Sequence, residues 1–358
     1  MHRHTFGLAF AYLMLLLVPA ACLANDASTS AATPDVSVAF PPQVGDGTAF
    51  PCTVAGTGLQ SATLTFLAKS ITAKAEKGPS GQGEITLLLP VPLDHANDSA
   101  PLDWTAVLAD GTTVKGTAMV HIVKRPYPVQ KLTVEPKYVT PDPTLKERLD
   151  RERKLMGTAL NARSDSRHWN LPMARPVPGK ITSLYGMRRV FNGQLKNPHK
   201  GLDFRAAAGD PILAIADGTV VLTGDFYYAG KFVVVDHGLG VVSISMHMSK
   251  ILAEKGQIIR RGDHIGLIGS TGRSTGPHLH LGVSVLGESI DALPLINQTE
   301  EDKATYANAT KDISTTKIKN NAAKNVKNAS QSGKKGTGKK SSGKTSAKTG
   351  SSSKQMPR

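Results

Sequence analysis

The 358 residues predict a mainly β chain in which an N-terminal Ig-like β-sandwich and a C-terminal antiparallel-sheet domain are joined by a connector with one helix. A disordered basic tail follows. Short runs of alternating apolar and polar residues recur between Gly/Asp turn signals over 36–125 and again over 181–298. Only one stretch, 145–162, places its apolar residues at helical steps. Residues 299–358 hold almost no large apolar side chains.

At the N-terminus, Arg3 precedes the apolar run Phe6 to Ala21, and the small residues Ala20, Ala21 and Ala24 close it. This is a secretory signal over 1–24, shorter than the ~20 residues a spanning helix needs. It predicts export to the periplasm or cell envelope. Cys22 offers a lipoprotein anchor, but Pro19 stands where such signals carry leucine, which favours cleavage near Ala24. Cys52 is then the lone cysteine of the mature chain, and no internal disulfide can form.

The sandwich is built from strands at Ala62 to Leu67, Glu84 to Leu89, Asp103 to Leu108 and Thr113 to Val123. His95 and His121 are isolated there and read as surface or structural residues. The connector, 126–180, is rich in proline. Its helix is signalled by the capping-box spacing of Thr144 and Glu147 and by Leu145, Leu149, Met156 and Leu160. In the C-terminal domain, 181–298, strands fall at Ile212 to Ile215, Thr219 to Thr223, Lys231 to Val235, Val241 to Met248, His264 to Ile268 and His278 to Val285.

Net charge +15 invites a nucleic-acid reading until its location is considered. Residues 301–358 hold fourteen Lys/Arg against three Asp/Glu, so +11 of the +15 sits there. Such a tail cannot bury enough apolar surface to offset its ordering entropy. Export excludes DNA as its partner; an anionic wall polymer or membrane surface fits, and a tail that is merely solvated fits equally.

Six of the eleven histidines lie between His199 and His280. Strand alternation puts His278, His280, Gly282 and Ser284 on one face and Leu279, Leu281, Val283 and Val285 on the other. In the same way it sets Val242, Ile244, Met246 and Met248 inside, with Ser243, Ser245 and His247 opposite. His199 and Asp203, four apart in an extended segment, share a side with Gly201 between them. Imidazole and carboxylate suit divalent zinc, and three protein ligands with one open position make a catalytic site. Each piece alone arises by chance; together, in an exported protein, they point to a metal centre.

The segments Ser183-Leu184-Tyr185-Gly186-Met187-Arg188, His199 to Asp203, Gly209 to Ile212, Asp217 to Val220, His247 and Ser270 to His280 closely resemble the lysostaphin/LytM-type peptidases. The resemblance implies one zinc ion held by His199, Asp203 and His280, with His247 and His278 acting on the nucleophilic water and the transition state. It implies peptidoglycan peptide cross-links as substrate, and a water whose pKa falls on the metal towards ~7. The family often has Tyr-x-His-Leu where this chain has Ile244 to Met248, and Phe-Glu where it has Leu281-Gly282, which alters packing and groove shape. Arg188 matches a position kept near the cleft and suits either a substrate carboxylate or a structural ion pair. His237 and His264 flank turns and read as structural. Two rival readings remain: a non-catalytic wall-binding or amidase-activating protein on the same domain, and a zinc hydrolase for small molecules.

Overall fold

The computed structural model describes residues 35–78 and 81–300. The expected signal over 1–24, the Cys22 anchor and the tail beyond residue 300 lie outside the described residues. Among the described residues, no helix is long and apolar enough to cross a membrane.

Residues 36–123 form two sheets packed face to face. One has the order Val36–Ala39, Ala49–Gly56, Gly83–Pro90, Glu76–Lys77. The other runs Gln43–Gly45, Thr113–Val123, Ser99–Leu108, Leu59–Phe66, Lys69–Lys74. Period-2 alternation aims Phe50, Cys52, Val54, Leu64, Phe66, Leu87 and Leu102 into the space between them, where all are buried. Phe50 and Phe66 meet edge to face with centroids 5.4 Å apart. Burial pushes the free Cys52 thiol up to about 12. Ala49–Gly56 is a strand outside the expected set, and it contains Pro51. The neighbouring strand Val36–Ala39 stops at Thr53, so Pro51 needs no hydrogen-bond donor on that side.

The connector departs from expectation in two places. Val129–Leu132 is a strand, paired in parallel with Arg188–Phe191, so the connector adds an edge to the C-terminal region. The capping box at Thr144 and Glu147 does not form. Instead the Asp142 carboxylate accepts from the Thr144 backbone N–H (2.8 Å) and hydroxyl (2.7 Å), holding a 3-10 turn that runs into the helix Lys146–Leu160. Met156, Ala159 and Leu160 pack on Phe232, Val234, Val242 and Ile244. Glu152, on the charged face of the helix, is buried and accepts from the Tyr227 N–H and from Arg148.

The C-terminal sheet is antiparallel, in the order Ile181–Ser183, Leu202–Arg205, His278–Val285, Val241–Met248, Gly230–Asp236, Gly218–Phe226, Ile258–Ile259, with Glu288–Ile290 paired on His278–Val285. A small sheet, Pro211–Leu213, His264–Leu267 and Lys250–Ile251, flanks it. The sandwich joins this region through buried polar contacts. Arg125 donates from Nη2 to the Asp291 carboxylate at 2.7 Å, and the Asp291 N–H donates to the Gly47 carbonyl at 2.8 Å. Asp291 is only 1% exposed. Removing one partner of such a pair costs about 3–5 kcal/mol. Asp291→Ala should therefore lower the urea midpoint of the full chain by that equivalent; an unchanged midpoint would show that the joint contributes nothing to stability.

Candidate metal centre

Antiparallel register brings the expected residues together from distant parts of the chain. Asp203 stands opposite His280, and Arg205 opposite His278, so all four share one face of the sheet. The intervening Leu279 and Leu281 are fully buried on the other face. Further along the strand, the same polar face is covered rather than open. A Cβ on Gly282 would lie 2.9 Å from Ile244 Cγ2, and Ser284 Oγ donates to the Leu160 carbonyl of the helix. The departure at Gly282 from the resembled family is thus filled by Ile244.

His247 reaches this site by a route that alternation does not supply. Its neighbour Met246 pairs with His280 and shares the face of the metal cluster. Regular alternation would therefore send His247 to the opposite face. The backbone at His247 is left-handed instead, with φ 65°, a strained conformation for a non-glycine residue. The ring is turned back to lie 4.8 Å from the His278 ring and 6.0 Å from that of His280. The expected inside set is corrected by the same kink. Val242, Ile244 and Met246 face the helix, whereas Met248 joins the core on the other side. Ser243 and Ser245 are buried rather than open.

His199 precedes its strand and is held from its far nitrogen. Nδ1–H donates to the Leu184 carbonyl at 2.8 Å, with Ser183 Oγ at 3.1 Å, which leaves Nε2 with a lone pair. That lone pair faces Asp203 Oδ1 at 3.0 Å and His280 Nδ1 at 3.0 Å, and His280 Nδ1 lies 2.8 Å from the same carboxylate oxygen. Burial alone would raise the Asp203 pKa, but His199 and His280 hold it well below the usual carboxylate range. Burial pushes His280 down to about 4 against the pull of Asp203. An ionised carboxylate and two imidazole nitrogens converging on one point offer a cation three ligand atoms. These three residues form a potential metal-binding group, and their donor set fits zinc.

His247 and His278 are oriented alike. His247 Nδ1–H donates to the Thr271 carbonyl at 2.8 Å, and His278 Nδ1–H to the Gly276 carbonyl at 2.8 Å. Each Nε2 is left as the reactive nitrogen. His278 Nε2 is 3.9 Å from Asp203 Oδ1, beside the cluster but outside the closest contacts. Burial, together with the rings of His278 and His280, pushes His247 down to about 3, so it is neutral at pH 7.

Sequence reading missed Arg189. Its Nη2 donates to Asp203 Oδ2 and, at 3.1 Å, to Ser183 Oγ, while Nε reaches Gln130 Oε1 of the connector strand at 3.3 Å. Arg188, the residue matched by resemblance, makes an exposed ion pair with Asp94 at 2.7 Å. Adjacent strand residues point to opposite faces, so only one of the two arginines can turn to the cluster. Of the remaining histidines, His237 is buried, donating to the Asp217 carbonyl with Ser243 Oγ at its other nitrogen, and burial lowers it to about 4. His264 is exposed at a strand start, and His95 and His121 lie in the sandwich away from the cluster.

A groove of about 460 Å³ opens beside the centre, lined by Gln130, Arg189, Asp203, His247, Arg273 and His278 among others. Gly201 lets the ligand loop close on it: a Cβ there would stand 2.7 Å from the His280 ring and collide with the Leu281 carbonyl. Overpacking of this kind costs about 1–3 kcal/mol. Gly201→Ala should lower the melting temperature and weaken metal retention together, whereas retention equal to the parent's in a chelator titration would show that His280 is not displaced.

A match to Peptidase family M23 covers residues 197–292. The chain is 47% identical over 121 residues to Peptidoglycan DD-endopeptidase ShyA of Vibrio cholerae, a stretch covering 33% of this chain and 28% of that protein. It is 39% identical over 132 residues to DD-carboxypeptidase/endopeptidase Mpg of Neisseria meningitidis serogroup B, covering 36% of this chain and 30% of that protein. Each match spans less than a third of the curated relative's length. A crystal structure of a peptidase M23 from Pseudomonas aeruginosa superposes with a TM-score of 0.51 at 30% identity, covering 66% of this chain and 88% of that one.

Proposed function

The chain belongs to peptidase family M23, and from that premise we propose that it is a zinc-dependent endopeptidase that hydrolyses peptide cross-links of bacterial peptidoglycan. The observation that carries this reading is the convergence of His199 Nε2, Asp203 Oδ1 and His280 Nδ1 within 4.8 Å of one another, at an open groove beside two further histidines. Zinc held there would supply the charge that acidifies a water molecule and polarises a scissile carbonyl. The protein's own residues do the rest. His247 and His278, each fixed through Nδ1–H to a backbone carbonyl, present Nε2 to accept a proton from the attacking water or to return one to the leaving amine. Arg189 holds the outer oxygen of Asp203 and keeps the carboxylate in one orientation.

The names of ShyA and Mpg favour a DD bond, and we read the substrate as the direct D-alanyl–diaminopimelate cross-link. Export to the periplasm or envelope, with the basic tail drawn to an anionic polymer or membrane surface, belongs to the same reading. The non-catalytic alternative would need no ordered proton carriers, yet both histidines are hydrogen-bonded in place. Purified full-length protein, loaded with zinc and incubated with sacculi, should release uncross-linked muropeptides identifiable by mass spectrometry. Binding to sacculi without release would favour the wall-binding alternative; turnover of a small amide with none on sacculi would favour a small-molecule hydrolase.

A further inference from the structure

The groove carries more positive charge than its own acids balance. Its lining holds Arg189, Arg205 and Arg273 with one acid, Asp203, and Arg189 already engages that carboxylate. Arg273 has no such partner among the described residues. Its guanidinium carbon lies 4.8 Å from the Phe191 ring centroid and 4.8 Å from that of Tyr228. The two rings fix the fork, and the Arg273 backbone N–H, donating to the Tyr228 carbonyl at 2.9 Å, fixes its loop. Burial lowers the Arg273 pKa, and the like charge of Arg189 acts in the same direction. A half-buried cation is thus held in a set orientation with no acid among the described residues paired to it.

The same loop supplies the Thr271 carbonyl that orients His247 and, through Gly276, the one that orients His278. An anion on Arg273 would therefore lie in the groove that these two rings line. Guanidinium matches carboxylate in a bidentate fork better than it matches a neutral amide. We propose that Arg273 binds a free carboxylate on the substrate residue that carries the leaving amine, making the groove selective for cross-links with an unamidated carboxylate beside the scissile bond. This rests on the peptidase reading above and names its substrate class: the D-centre of diaminopimelate carries such a carboxylate, and a glycine bridge does not.

The test uses zinc-loaded full-length protein and a non-hydrolysable reduced-amide analogue of D-alanyl–diaminopimelate, with its D-centre carboxylate either free or amidated. Calorimetry should give about tenfold tighter binding of the free acid to the parent, the scale of one charge-assisted hydrogen-bonded contact. In Arg273→Met, which keeps a long side chain between the rings, the ratio should fall to about one. Arg273→Lys, which keeps the charge without the fork, should fall between and decides the case if the Met variant does not fold. With the matching cleavable muropeptides, the difference should appear in KM rather than kcat. Equal binding of acid and amide by the parent, or a preference retained in both variants, overturns the proposal. A preference that is present in the parent and lost in the variants, with neither muropeptide cleaved, leaves this inference standing and removes the peptidase reading instead.

Discussion

Asp203→Ala protein should lose bound zinc and hydrolysis together, with turnover of cross-linked muropeptides falling to the uncatalysed background, a loss on the order of 10⁶-fold or more. Two consequences of the substitution act in the same direction. The first is loss of the carboxylate oxygen that lies within 3.0 Å of both His199 Nε2 and His280 Nδ1. The second is release of Arg189, whose guanidinium is bound to the other oxygen of Asp203 and is only partly exposed. With the carboxylate gone, a positive charge stands beside a site that must accept a divalent cation. Asp203→Ala should therefore retain less zinc than His199→Ala, where the anion and its arginine partner both remain. Metal content after dialysis, measured beside release from sacculi, tests this directly. Stoichiometric zinc in an active Asp203→Ala protein would overturn the ligand set, and equal zinc loss in the two variants would remove the role given to Arg189.

How much of this centre could be read from sequence depends on which physical rule placed each residue. His278 and His280 were legible because Leu279, Leu281, Val283 and Val285 make an unbroken period of two, and the strand His278–Val285 is regular throughout. Asp203 followed from the same rule once its strand paired with that one. His247 was assigned to the site for an incomplete reason. Alternation placed it opposite Met246, which in the sheet is the wrong face, and only the left-handed backbone at His247 returns the ring to the cluster. No residue-type pattern announces positive φ at a histidine.

Arg189 was hidden for a related reason: strand Arg188–Phe191 is the middle strand of a small three-stranded sheet, and its orientation is set by parallel pairing with the connector strand Val129–Leu132, a contact between segments more than fifty residues apart. In the sandwich, Thr113–Val123 was legible to its ends, but Ala49–Gly56 lay outside the expected set, and it contains Pro51, whose tolerance depends on where a neighbouring strand stops. The helix was legible from its apolar spacing and starts within one residue of the expected 145, yet the capping box does not form, and Asp142 instead caps the 3-10 turn that precedes it. Local periodicity thus carries the strands and most ligands, while tertiary pairing decides the edges and the residues that support the ligands.

Replacing either accessory histidine should separate catalysis from metal binding. His247→Ala and His278→Ala are each expected to retain zinc close to the parent level and to lose ~10²–10⁴-fold in kcat, the range for removing a positioned proton carrier. Neither residue is among the three that converge on the cluster: His278 Nε2 stands 3.9 Å from Asp203 Oδ1, and the His247 ring centre is 6.0 Å from that of His280. Their Nδ1–H groups are committed to the Gly276 and Thr271 carbonyls, so the contribution lost is that of Nε2. His247 needs a control, because its backbone is strained and a substitution there also changes the strand. His247→Gly accepts φ 65° without strain and lacks the ring, whereas His247→Ala keeps the strain and lacks it too. If the imidazole is what matters, both variants should show the same rate deficit, with the Gly variant differing only in stability. A Gly variant restored to within a few fold of the parent rate would assign the effect to backbone conformation, and zinc loss comparable to that of Asp203→Ala in either alanine variant would move that histidine into the ligand set.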